Sequence, residues 1–310
     1  MKGLFDNFER DFCTLEKINE LAVESPEVLI NNSEYTFKSR VREVINYIRE
    51  NKNKCKLVLI TGPSSSGKTT FSKILRSELR KLDIWNDIIS LDNFYKGFKN
   101  LPILEDGSRD FESIEGLDTD EVKKVLKDLL ENGAGNIPLY DFKSMAASGK
   151  RLHINVPKEG IIIVEGIHAI SPEITCELAD ENILKLYIDV EKGVRLKSGE
   201  EFIKPEDIRL MRRVGRDYKY RYVLPIRTIM MWKNVRRGEE LYLKPLKKYA
   251  DLTINTFHNY ELCVMGADVI SYLNSVPKNL NMDELKEKLY RFESISKDLV
   301  PKDSLIREFI

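Results

Sequence analysis

Cysteine is scarce and scattered. The four cysteines of the 310-residue chain, Cys13, Cys55, Cys176 and Cys263, lie far apart and form no C-x-x-C pair. Such spacing suggests neither a zinc site nor a disulfide framework, so reduced thiols in a cytoplasmic protein are the expectation. Net charge is also missing: lysine plus arginine and aspartate plus glutamate number 50 each, and no global field draws the chain toward nucleic acid or an anionic membrane. Long hydrophobic runs are absent. The longest aliphatic stretches stop after a few residues, as IIIV does before Glu165, and the start, MKGLFDNFERDF, interrupts its apolar residues with charge; neither a signal peptide nor a membrane span is expected. No internal repeat or low-complexity tract occurs. With 42% hydrophobic residues there is material for a substantial core, and any recognition of phosphate must be local.

The pattern along the chain divides it into three stretches. Residues 1–52 read as an N-terminal appendage: a helix-like start, a hairpin in VLINNSEYTF around Asn31, Asn32 and Ser33, then a helix with Val41, Val44, Ile45 and Ile48 on one stripe. Residues 53–278 alternate strands with helices, the strands being LVLIT ending at Thr61, then IIS at 88–90, IIIV at 161–164, LYIDV at 186–190 and LTINT at 252–256. That alternation predicts an α/β fold with a mainly parallel sheet. Between them Asp118 is placed to cap a helix whose core face is Val122, Val125, Leu126 and Leu129, with Glu121 reaching back as in a capping box and Gly133 ending it. Residues 279–310 give a short helix bearing Leu285, Leu289 and Phe292, a break at Pro301 and an apolar end, LIREFI, read as a docked tail.

One motif carries chemistry directly. Gly62, Pro63, Ser64, Ser65, Ser66, Gly67, Lys68 and Thr69 spell G-x-x-x-x-G-K-T, followed by Thr70, immediately after a β run and before a helix-like run. Glycines and small serines let backbone N–H groups wrap around phosphates while the helix start faces them. Lys68 would contact the β- and γ-phosphates of ATP, with GTP as an alternative donor, and Thr69 would bind Mg²⁺. No aspartate has a glycine three positions later and no N-K-x-D run exists, which argues against a GTP switch. A recombination or transport ATPase has no positive sign.

Acceptor chemistry needs a base. Asp92 follows the second strand in SLDNFY, at the strand end where α/β sheets gather ligands; it suits a general base, and equally a turn or cap. Glu165, ending IIIVE before Gly166, suits a magnesium-side carboxylate or a plain strand-end charge. Arg209, Arg212, Arg213 and Arg216 stand at helical i, i+3, i+4 and i+7. Like charges on one face destabilise an isolated helix unless carboxylates or phosphates lie beside them, and a helical lid over triphosphate is the favoured reading over a solvated face.

GPSSSGKTT, SLDNFY, RDFESIEGLD, IPLYDF, IIIVEGIHAI and RLMRRVGRD, in this order over roughly Lys56 to Val276, resemble the uridine kinase and phosphoribulokinase superfamily, above all its bacterial uridine kinase-like nucleoside kinases. The resemblance implies a P-loop NTPase fold and phosphoryl transfer to the 5′-hydroxyl of a nucleoside, uridine or cytidine first. It implies Asp92 as catalytic base beside Tyr95, Glu165 near Mg²⁺, and Arg212, Arg213 and Arg216 in the lid. Tyr140 and Phe142 resemble the aromatic pair flanking the base, although these rings also suit a core. Three positions depart: Glu112 stands where those kinases usually have aspartate for the ribose hydroxyls, Met145 where a histidine reads the pyrimidine edge, and Val223 where a further lid arginine is usual, with Arg221 and Arg227 nearby. Methionine cannot donate that hydrogen bond. A kinase of another polyhydroxylated metabolite and a catalytically silent nucleotide-binding regulator therefore stay open. The expected partner is a small molecule, with no nucleic acid and no membrane, and homo-oligomerisation left open.

Overall fold

The computed structural model describes residues 14–51, 55–141 and 144–310. The helix-like start expected within residues 1–13, the boundary between residues 52 and 53, and Phe142 lie outside the described residues.

Helices α1 (Leu15–Glu24) and α2 (Pro26–Glu50) open the fold. The expected hairpin around Asn31 is not formed: α2 runs through it without interruption. Turn-favouring residues yield here to burial. Leu29, Ile30, Phe37, Val41, Val44, Ile45 and Ile48 repeat with a helical period and are all buried, which a hairpin would undo by sending neighbours to opposite faces. The hydroxyls of Ser33 and Thr36 fold back onto the helix carbonyls of Leu29 and Asn32, at 3.0 and 2.9 Å.

The remaining elements are β1 (Leu57–Thr61), α3 (Lys68–Arg80), β2 (Asn86–Ser90), α4 (Thr119–Glu131), β3 (Ala134–Asp141), β4 (Ala146–Asn155), β5 (Ile161–Glu165), α5 (Pro172–Thr175), β6 (Ile183–Asp189), β7 (Val194–Arg195), β8 (Glu201–Ile203), α6 (Pro205–Arg221), α7 (Pro225–Gly238), β9 (Leu252–Asn255), α8 (Glu261–Asn274) and α9 (Asp283–Leu289). The central sheet has the order β2-β5-β1-β6-β9, every pair parallel, with Leu57 opposite both Ile162 and Ile183. β1 and β5 are buried along their whole length, as strands covered on both faces must be. Antiparallel ribbons β3-β4 and β7-β8 stand apart from the sheet. Asp118 caps α4 by accepting from the Glu121 N–H at 3.1 Å, and Gly133 follows the helix at φ +66°. The carboxylate of Glu121 pairs with Arg151 of β4 instead of completing a capping box. Among the described residues, no helix is long and apolar enough to cross a membrane.

Both end stretches share the core of the middle one. Phe37 meets Phe71 of α3 edge-on, with ring centroids 6.2 Å apart. The buried Tyr260 hydroxyl joins Glu34 of α2 at 2.6 Å and Ser304 of the C-terminal stretch at 2.9 Å. Phe37→Ala should therefore cost about 3–5 kcal/mol and lower the single melting transition of the whole chain; separate melting of residues 14–51 in calorimetry would contradict this.

Candidate active site

β1 delivers the chain to the P-loop at the carboxyl edge of the sheet. Gly62 sits so close to β6 that a Cβ there would lie 1.9 Å from the Ile188 carbonyl oxygen, and its φ is +148°. Ser65, with φ +59°, also takes a left-handed conformation, a local strain that binding loops tolerate. Four successive loop carbonyls are held by side chains. Pro63 O accepts from Lys68 Nζ at 3.0 Å, Ser64 O from Arg209 at 3.3 Å, Ser65 O from Arg212 at 3.4 Å and Ser66 O from Thr256 at 2.6 Å. The peptide planes of the loop are thereby fixed before any ligand arrives. The Ser65 and Ser66 hydroxyls are buried without a hydrogen-bond partner among the described residues, as in a loop built for a polar ligand.

A cavity of about 630 Å³ opens beside the loop. It brings together Ser64, Ser65, Lys68 and Thr69 with Asp92, Tyr95, Glu112, Tyr140, Met145, Glu165, Arg213 and Arg216. Gly62, Pro63, Ser66, Gly67 and Thr70 support the loop outside its lining, and Arg212 is placed elsewhere. The wall also includes Arg109, Phe111, Arg221 and Asn234. Arg109, the first residue of RDFESIEGLD, was given no role from the sequence because it reaches the cavity from a turn-rich loop, where it donates to Leu101 O at 2.7 Å and lies over the Phe98 ring.

Two carboxylates flank Lys68. Ser90, not Asp92, caps the short turn Leu91–Phe94, accepting from the Asp92 N–H at 3.4 Å, so the Asp92 side chain is left to the cleft. Asp92 reaches water through the cleft mouth yet is ringed by protein, and this enclosure raises its pKa against the pull of Lys68 and Arg221. Burial likewise raises Glu165, reinforced by Asp92 and opposed by a hydrogen bond from Ser90 and by Lys68. The Lys68 ammonium is pulled below its usual range by burial, against Glu165, Asp92 and Glu112. Among the described residues no group of three or more His, Cys, Asp or Glu side chains converges to hold a metal.

Glu112 is held by residues that the sequence did not single out. Its N–H donates to Asp110 Oδ1 at 3.0 Å, and its carbonyl accepts from His168 Nε2 at 2.8 Å. Burial lowers the His168 pKa to about 4, so a neutral ring with its proton on Nε2 makes this bond. Burial raises Glu112 from 4.5 to about 7, against the nearby Arg213. Tyr95 donates to Phe111 O at 2.9 Å, and its ring lies 6.3 Å from that of Tyr140. Met145, at φ +52°, presents its side chain to the cavity, with its carbonyl held by the Phe98 N–H at 3.0 Å.

The arginine stripe of α6 divides by depth. Arg212 is completely buried, its guanidinium bridging both oxygens of the equally buried Glu261 at 2.6 and 2.9 Å and bonding Thr256. Arg209 makes a similar two-pronged pair with Glu239. Arg213 and Arg216 face the cavity: Arg213 donates to Ser64 Oγ at 2.6 Å, and both they and Arg221 surround the buried Asp217.

A phosphate loop, a flanking carboxylate and arginines on an adjoining helix sharing one cavity define a P-loop phosphotransferase, and the protein is a small-molecule kinase. The model of the phosphoribulokinase / uridine kinase family matches residues 57–199. A uridine kinase of Mycoplasma genitalium is 31% identical over 216 residues, covering 69% of this chain and 91% of that protein. Uridine kinases of Limosilactobacillus reuteri and Staphylococcus aureus are each 29% identical, over 208 and 199 residues, covering 67% and 64% of this chain and 85% and 86% of those proteins. The chain belongs to the phosphoribulokinase and uridine kinase family.

Removing one partner of a buried ion pair strands the other, so Arg212→Ala should lose about 3–5 kcal/mol of stability, while Arg213→Ala stays closer to wild type in thermal melts. Equal melting temperatures would place Arg212 outside the support of the loop. The raised Glu112 pKa means that the folded chain holds this proton more tightly than the unfolded chain. Its contribution is complete below about pH 4.5 and is lost as pH rises through about 7. Glu112→Gln should therefore reduce the fall in melting temperature between about pH 5 and 7; an unchanged slope would show that Glu112 titrates normally.

Proposed function

We propose that the protein transfers the γ-phosphoryl group of ATP to the 5′-hydroxyl of a nucleoside, uridine or cytidine first, with Mg²⁺. The observation carrying this reading is that Lys68 and Thr69 share one cavity wall with Asp92, Tyr95, Glu112 and Met145, so donor phosphates and an acceptor hydroxyl fit side by side. That the similar proteins are uridine kinases supports the nucleoside. GTP is the alternative donor. Residues 53–278 are read as the catalytic unit, with 1–52 and 279–310 as added segments. The free thiols of Cys55, Cys176 and Cys263 suit a reducing cytoplasm.

In the proposed reaction Asp92 accepts the proton of the acceptor hydroxyl. The acceptor oxygen forms its bond to the γ-phosphorus as the bond to the β-phosphate oxygen breaks, and the donor leaves as a nucleoside diphosphate. Enclosure raises the affinity of Asp92 for this proton. Lys68 neutralises the β- and γ-phosphates, while Arg213 and Arg216 close on charge that builds in the transition state. Magnesium suits the donor set, because Thr69 exposes its hydroxyl to the cavity and Glu165 is a buried carboxylate beside Lys68. Thr69 and Glu165 would hold the ion, which when bound neutralises phosphate oxygens. Tyr95 and Glu112 take the sugar, and Tyr140 flanks the base. Met145 offers it an apolar wall, an observation that also admits a polyhydroxylated acceptor without a pyrimidine.

Asp92→Asn keeps shape and removes basicity. Turnover should fall by about 10²–10⁴ with ATP affinity near wild type, measured on one preparation by nucleoside phosphorylation and calorimetric titration. Near-normal turnover would remove Asp92 from the chemistry.

A further inference from the structure

We infer that the Glu308 carboxylate is an internal competitor of the donor triphosphate, resting on the anion-binding start of α3 until the nucleotide displaces it. The inference deepens the proposed function and rests on its assignment of triphosphate to the P-loop. Glu308 Oε2 accepts from Thr70 Oγ1 at 2.5 Å, and Oε1 lies 3.9 Å from Arg216 Nη1. Thr70 stands in the first turn of the helix that begins at Lys68. Unpaired N–H groups and the helix dipole favour negative charge there, whether it comes from a phosphate or from a side chain.

The segment around Glu308 is anchored independently of this contact. Leu305, Ile306 and Phe309 are buried. Leu305 packs directly over Gly67, where an added Cβ would meet its Cδ1 at 2.8 Å. The Phe309 ring faces the Arg212 guanidinium at 5.0 Å, and the Tyr220 hydroxyl donates to Ile310 O at 2.8 Å. Arg307 turns away, onto the carbonyls of Lys297, Val300 and Pro301. Glu308 is thus the charged side chain that this anchored segment presents to the phosphate loop.

A triphosphate lying along the loop toward the first turn of α3 brings like charge against Glu308 and competes for Thr70 and Arg216. The apolar anchors keep the backbone seated, so the Glu308 side chain swings out and leaves Arg216 to the phosphates. Nucleotide binding and release of a lid arginine become one event.

The test compares wild type with Glu308→Gln and Glu308→Ala by calorimetric titration of ATP and of inorganic tripolyphosphate, at low and high salt, beside melting curves of the free proteins. Both variants should bind both ligands about three- to tenfold more tightly at low salt, with the gain shrinking as salt screens the charge. Equal affinity in all three proteins would overturn the competition while leaving the P-loop assignment standing. Weaker affinity with a much lower melting temperature in both variants would make Glu308 a structural staple and also overturn it. Failure of every protein, wild type included, to bind ATP or tripolyphosphate would remove the underlying functional reading.

Discussion

The structure of the site depends on the buried guanidinium of Arg212. It is enclosed by Glu261 at the start of α8, by Thr256 after β9 and by the Ser65 carbonyl of the phosphate loop. Thr256 passes the constraint on by bonding Ser66 O. One side chain therefore ties α6, the end of the last strand of the sheet and the loop into a single unit. A buried charge is costly unless paired and fully hydrogen-bonded, so this arrangement has few alternatives, and the loop inherits that rigidity. A pre-set loop binds without having to order itself first, which leaves more of the interaction energy for the ligand.

The same helix then serves two purposes by depth. Arg209 and Arg212, on its inner side, are consumed by Glu239 and Glu261, whereas Arg213 and Arg216 reach the cavity around Asp217. A carboxylate shared by several arginines keeps like charges together without neutralising all of them, and what remains is positive potential aimed at the phosphate site. Across the cavity, burial raises the proton affinity of Asp92, Glu165 and Glu112 alike. The pocket opposes cationic lysine and arginine groups to carboxylates, an arrangement suited to moving a proton one way and an anionic phosphoryl group the other.

Much of this was legible in the sequence where the signal is local. The P-loop needs only eight consecutive residues, and alternation of apolar strands with helices marked all five strands of the central sheet. What local sequence did not reveal depends on distant partners. Spacing put Arg212 on a face with Arg213 and Arg216, yet its depth is set by Glu261, 49 residues away. The turn residues Asn31 to Ser33 pointed to a hairpin because nothing local reveals that Phe37 packs on Phe71. Glu112 was read for its carboxylate alone; the His168 that holds its carbonyl lies 56 residues on. The docked end of the chain was foreseen from its apolar residues, whereas its contact with Thr70 through Glu308, 238 residues away, was not.

The central claim is that one cavity places a donor phosphate beside an acceptor hydroxyl of a nucleoside. The most direct measurement follows γ-labelled ATP incubated with the protein, Mg²⁺ and a panel of nucleosides, separating the products. The account predicts label in a nucleoside 5′-monophosphate, formed one for one with ADP and absent when the nucleoside is omitted. Label released only as inorganic phosphate, or retained in ATP with every nucleoside, would contradict it.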